Sequence, residues 1–115
     1  MNSAPRYVRP SRQFYADLHR QLGADRGPAG EPSRVDFELH DLVMILATFA
    51  NDWDDLPRSI PGRDDYRVLV EGGVLVRSYA VYAALARDGV IELLSLEIDT
   101  TWPNDDPDRD STDDD

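Results

Sequence analysis

The chain has 115 residues, no cysteine, 41% apolar residues and a formal net charge of −11. That length supports one hydrophobic core but not two, and the lack of cysteine removes disulfides, thiolate nucleophiles and cysteine-ligated metals. The longest apolar run, "LVMILATFA", is far short of the ~20 residues a membrane span needs, and the first twenty residues lack the apolar run of a signal peptide, so a cytoplasmic, membrane-free protein is expected.

The acidic excess is uneven. Residues 1–34 hold six Arg and three acids, 35–56 hold six acids and no base, 57–103 hold five Arg and seven acids, and 104–115 hold seven Asp and one Arg. The last segment has no apolar residue to offset its ordering entropy. We therefore predict one domain over residues 1–103 and a disordered acidic tail over 104–115. Without the tail's −6, the total of −11 falls to −5. Such a body lacks the broad basic field of a nucleic-acid binder, and its acids would suit a basic protein partner.

In chain order, "PRYVRP" reads as a short strand bounded by Pro5 and Pro10. Ser11 can cap a helix reaching about Leu22, with Phe14, Leu18 and Leu22 on one face and Gly23 as its stop. A Gly/Pro linker, "GADRGPAGEP", follows. Ser33 begins a second helix, with Asp36 as an acidic capping-box partner, and Pro57 ends it. Its apolar stripe is Phe37, Leu39, Leu42, Val43, Leu46, Phe49, Ala50 and Trp53. From Tyr66 the period changes to two, and "YRVLV", "VLVRSYAVY" and "VIELLSLEI" read as strands. Glu71-Gly72-Gly73 predicts a tight turn between the first two, and Asp88-Gly89 a turn before the third. The fold class is α+β: a short N-terminal strand, two helices and a three-strand antiparallel meander (β-α-α-β-β-β), with the helices packed on one sheet face.

Alternation places Tyr66, Val68, Val70, Val74, Val76, Ala80, Val90, Leu94, Leu96 and Ile98 on the helix-covered face. The helix-free face would then carry Arg67, Leu69, Leu75, Arg77, Tyr79, Val81, Ile91, Leu93, Ser95, Glu97 and Asp99. With Gly72 at the turn, Arg67 falls opposite Arg77, and Arg77 falls opposite Ser95 with Glu97 on the diagonal. Two readings follow. Arg67 and Arg77 could hold an anion with Tyr79 and Ser95 as donors, or Glu97 could simply neutralise Arg77 across the strands, contributing at most ~1 kcal/mol.

Elsewhere the residues suggest little chemistry. His19 and His40 stand alone on predicted helices, with Asp36 and His40 spaced as a solvent-side pair. Gly72-Gly73 is no phosphate-binding loop. "NDWDDLP" has Leu56 and Pro57 where a cation loop needs oxygen ligands, so neither a metal nor a cofactor is expected. Its acids oppose the helix macrodipole and could dock a basic partner.

The element order, with "SRQFYADLHRQL" after a short first strand, a long second helix ending at "LP", and "DDYRVLV…VLVRSYAVY…VIELLSLEID", resembles the RelE/ParE superfamily over roughly residues 5–99. These proteins are the toxin halves of bacterial toxin–antitoxin pairs. The RelE branch implies a ribosome-dependent mRNA endoribonuclease, with Arg67 and Arg77 at the positions of phosphate-holding cations. Glu97 would be the candidate general base. The family's last strand usually ends in His-Arg or Lys-Arg; here it reads "EID", with Asp99 at the cation's place and no tyrosine after it. Carboxylates there repel a phosphoryl transition state, and the acidic surface opposes ribosome binding. The ParE branch acts by binding a protein, which leaves open whether this chain is an enzyme. The expected function is therefore a toxin-side component acting by protein binding, with a small antitoxin-like partner and Tyr79, Ser95 and Asp99 on the binding face. The alternatives are a divergent endoribonuclease using Arg67, Arg77 and Glu97, and an acidic immunity-like or nucleic-acid-mimicking module.

Overall fold

In the computed structural model, which describes residues 5–28 and 30–99, a three-residue strand β1 (Val8–Pro10) leads through Ser11 into helix α1 (Arg12–Gln21). The Ser11 hydroxyl accepts from the Phe14 amide at 3.1 Å, pairing one of the donors that every helix start leaves free. Phe14 and Leu18 are fully buried, with Leu22 close behind, as the 3.6-residue period requires. Ser33 and Asp36 form the reciprocal capping box at the start of α2 (Arg34–Leu39). The acidic tail and the boundary drawn at residue 103 lie outside the described residues.

The second predicted helix is broken. His40 (φ −119°, ψ −69°) separates α2 from α3 (Asp41–Asp52), which ends in a 3-10 turn at Trp53–Asp55. The predicted stripe covered more of the circumference than one face can bury, and the structure divides it. Phe37, Leu42, Ile45, Phe49 and Trp53 enter the core, whereas Leu39 and Val43 stand outside, 66% and 55% exposed. His40 does not pair with the Asp36 carboxylate either: its Nδ1 lies 2.9 Å from the Asp36 carbonyl, while Arg26 takes the carboxylate at 3.0 Å.

Strands β2 (Tyr66–Glu71), β3 (Ser78–Leu85) and β4 (Ile91–Asp99) form the antiparallel meander, and β1 adds in parallel to β4. The sheet order is β1-β4-β3-β2. Helical and strand side chains share one hydrophobic core, so the α+β layout is as read. No helix among the described residues is long and apolar enough to cross a membrane.

Two details of the meander differ from the alternation reading. Residues 72–77 form a loop rather than a tight turn resumed as strand at Val74. Asp41, only 1% exposed, holds that loop by accepting from the amides of Val74 and Leu75, the latter at 3.0 Å. Gly73 makes room for this contact. A Cβ there would meet the Val76 side chain at 2.6 Å, its carbonyl at 2.8 Å and the Asp41 carboxylate at 3.2 Å.

The second detail is the face assignment, which the structure inverts over most of the sheet. Arg67, Leu69, Tyr79, Val81, Ile91 and Leu93 are buried beneath the helices, whereas Val70 is 66% exposed. A bulge keeps Leu96 and Ile98 in the core all the same. Tyr82 pairs with Ser95 but Ala83 pairs with Leu93, leaving Leu94 extra and switching the phase of β4 midway. The Arg67–Arg77 and Arg77–Ser95 pairings do not form: Arg67 pairs with Ala83, and Ser95 with Tyr82.

β1 covers only the first three residues of β4, so the amides and carbonyls further along that edge need other partners. Helix α1 supplies them. Buried Asp17 accepts from the Leu96 amide at 3.0 Å, while Gln21 donates to the Leu96 carbonyl at 2.7 Å and accepts from the Ile98 amide at 2.6 Å. The spacings match: four helical residues rise ~6 Å, and two strand residues ~6.6 Å. Burial alone would raise the Asp17 pKa, but hydrogen bonds from Leu96, Gln13 and Arg20, with the Arg20 charge, outweigh it and hold the carboxyl below its usual value.

Because the folded pKa is the lower one, this stabilisation is complete above the ordinary carboxylate range and is lost as pH falls through and below it. Asp17→Ala orphans the Leu96 amide and should cost about 1–3 kcal/mol near neutral pH. Urea midpoints should fall with unchanged slope, and the gap from the native chain should narrow as pH drops below about 4.

Candidate functional site

Arg67 is 8% exposed and faces inward from β2. Its Nε donates to the Asp64 carbonyl at 3.0 Å, and its Nη1 to the carbonyls of Leu56 at 2.7 Å and Asp54 at 3.2 Å. Its guanidinium carbon stands 5.6 Å from the centre of the Trp53 ring, within cation–π range. Nη2 is 3.8 Å from the Asp64 carboxylate. Three of the five donors thus pair carbonyls, two where the 3-10 turn ends and one just before β2. A cleft of about 280 Å³ lies alongside, lined by Arg6, Trp53, Asp54, Arg58, Asp64 and Arg67 among others. Arg58 is itself paired with Asp64, so the cleft's charges largely compensate one another.

Arg77 is exposed, one residue before β3, with its amide donating to the Asp99 carbonyl at 3.1 Å. It is six positions from Ala83, the partner of Arg67, or about 20 Å along the sheet. The two arginines therefore do not converge on one ligand. Tyr79 is a core residue, 4% exposed and edge-on to Phe37 at 6.4 Å. Burial, then the carboxylates of Glu71 and Asp41, push its phenol up to about 12.

Ser95, Glu97 and Asp99 do lie on the helix-free face, each identified by its β3 partner. Ser95 pairs with Tyr82, Glu97 with Ala80 and Asp99 with Ser78. Tyr82 in turn pairs with Val68, and Ala80 with Val70. Directly paired residues project to the same side. The open face is therefore apolar over β2 and β3 (Val68, Val70, Ala80 and Tyr82) and acidic along β4 (Glu92, Glu97 and Asp99). Tyr82 is 40% exposed. Arg9 of β1 partly offsets this row through Glu92 at 3.6 Å.

Alternation put Val68 and Val70 on the covered face, and left Tyr82 unplaced, because it took the more apolar phase of β2 for the core. One sequence signal was available. The doublet Leu93-Leu94, flanked by Ile91 on one side and Leu96 on the other, cannot keep a single phase and marks the bulge. Arg67 had no such mark, since its burial depends on carbonyls supplied by residues 54–64.

Arg67→Lys replaces a fork spanning three carbonyls with a single ammonium. It should cost about 1.5–3 kcal/mol, one charged-group hydrogen bond, read as a lower thermal midpoint. Tyr79 should be visible in an ultraviolet pH titration: of the five tyrosines, one should stay protonated until about pH 12. Stability should fall as pH rises from about 10, the ordinary tyrosine value, toward 12. Tyr79→Phe should remove that alkaline loss.

Comparison with protein-family models, with curated proteins and with solved structures finds no match to this chain.

Proposed function

We propose that this chain is a cytoplasmic, toxin-side component of a bacterial toxin–antitoxin-type module, and that it acts by binding a protein rather than by cleaving RNA. The observation that carries this reading is the open sheet face, where Val68, Val70 and Tyr82 lie beside Glu97 and Asp99. An uncovered apolar patch rimmed by charge is the usual form of a protein-docking surface. The partner it suits is a small protein, encoded beside this one, that lays an apolar segment with basic residues across β3 and β4.

The element order supports the family resemblance on which the module rests. The use of Arg67 favours the binding reading over the nuclease reading, because three of its five donors already serve the carbonyls of Asp54, Leu56 and Asp64 and the side chain is buried. Arg77 alone would leave a phosphoryl transition state with one cation and a row of nearby carboxylates.

Induced expression of the chain in bacterial cells should arrest growth, and co-expression of the neighbouring gene product should relieve the arrest. Val70→Asp and Tyr82→Asp, both at exposed positions, should weaken capture of that partner at least about tenfold, equivalent to 1.4 kcal/mol, with an unchanged thermal midpoint. Harmless expression, or full capture by both variants, would count decisively against the proposal.

A further inference from the structure

The helical layer has a second apolar side. Val35, Leu39 and Val43 follow one another at four-residue spacing and are 54%, 66% and 55% exposed, with Met44 beside them at 55%. Exposed Ala47 continues the row by one more turn. Single apolar residues at a surface are ordinary, but four large ones gathered along α2 and the start of α3 are not. Helix α3 is apolar on both sides, and a helix of that kind is normally covered on both. This ridge lies on the helical layer, away from the open sheet face, and does not depend on the functional reading above.

Charge at the two ends of the ridge indicates what covers it. At the start, the Arg34 side chain makes no ion pair among the described residues. At the end, exposed Asp52, Asp54 and Asp55 also lack ion pairs among the described residues, and the last turn of α3 carries no base. The acids at the end of α3 oppose its macrodipole, which favours bases there. A uniformly basic partner helix would suit one end and be repelled at the other. A second copy laid antiparallel suits both.

We propose that two copies of this chain associate through their α2–α3 ridges, antiparallel about a two-fold axis near Val43. In that arrangement Leu39 faces Ala47 of the partner subunit, and Arg34 reaches Asp52 of the partner subunit. Asp52 at the end of each α3 gains an ion pair that it does not make among the described residues of its own chain. The contact is isologous, so it closes as a dimer. It is a short helix-on-helix contact at the small end of the interface range, so the dimer dissociates on dilution.

Sedimentation of the full chain over a wide concentration range tests this. The 13.0 kDa monomer should give way to a species of twice that mass as concentration rises. Leu39→Asp with Val43→Asp should raise the dissociation constant more than about tenfold, while circular dichroism and the thermal midpoint stay unchanged. Arg34→Glu alone should weaken the dimer, and adding Asp52→Arg to the same chain should restore it, because each reversed charge again meets its opposite. A chain that stays monomeric throughout, a dimer indifferent to Leu39→Asp with Val43→Asp, or a charge reversal without rescue would overturn the proposal.

Discussion

Strand β4 is flanked by β3 along one side, but by β1 over only three residues on the other. Past Leu93 its outward amides and carbonyls lie against the helical layer, where water cannot serve them. A buried peptide group without a partner costs on the order of 1–3 kcal/mol, so this edge had to be closed. Asp17 and Gln21 close it, one helical turn apart on α1, making to Leu96 and Ile98 the bonds that a longer β1 would have made. Ser11 makes the transition, donating its amide to the Leu93 carbonyl while its hydroxyl caps α1. The position and rotation of α1 follow from these bonds, and Phe14 and Leu18 are thereby turned into the core.

The same device appears twice more. Asp41 accepts from two amides of the loop before β3, and Arg67 donates to carbonyls around the 3-10 turn. In each case a charged side chain is taken out of water to satisfy backbone that crosses the core boundary without a ladder. The consequence for function is direct. Arg67 is the residue most easily taken from the sequence for an anion-binding cation, and three of its five donors are committed to the fold. The break at His40, which sets Asp41 inward at the head of α3, also leaves Leu39 and Val43 outside. One local feature therefore anchors the loop and exposes the ridge.

Among the described residues, two apolar surfaces stand out beyond the core: the ridge on α2 and α3, and the centre of the open sheet face. They differ in charge. The sheet face grades from apolar strands into the carboxylates of β4, so it suits a partner carrying apolar and basic groups together. The ridge carries opposite signs at its two ends, which makes it complementary to itself. A pairing through the helices would leave the sheet face uncovered, so the two proposals are compatible.

The sequence by itself determined the elements and much of their punctuation. The Ser11 and Ser33 caps, the start of the meander near Tyr66 and the Asp88-Gly89 turn each depend on residues within a few positions of one another, and local chemistry specifies them. It also placed Ser95, Glu97 and Asp99 on the helix-free face, although by a phase that happened to be right only after the bulge. Tertiary structure alone decided which face of β2 and β3 is covered, the break at His40 and the role of Arg67. Those outcomes turn on partners far away in the chain. Arg67 is buried because carbonyls of residues 54–64 pair with its guanidinium, and α1 sits where it does because Leu96 and Ile98 have β3 on one side but no strand on the other. Alternation records which residues share a side, but not which side the helices will find, because burial is settled by those distant polar bonds as well as by apolar count.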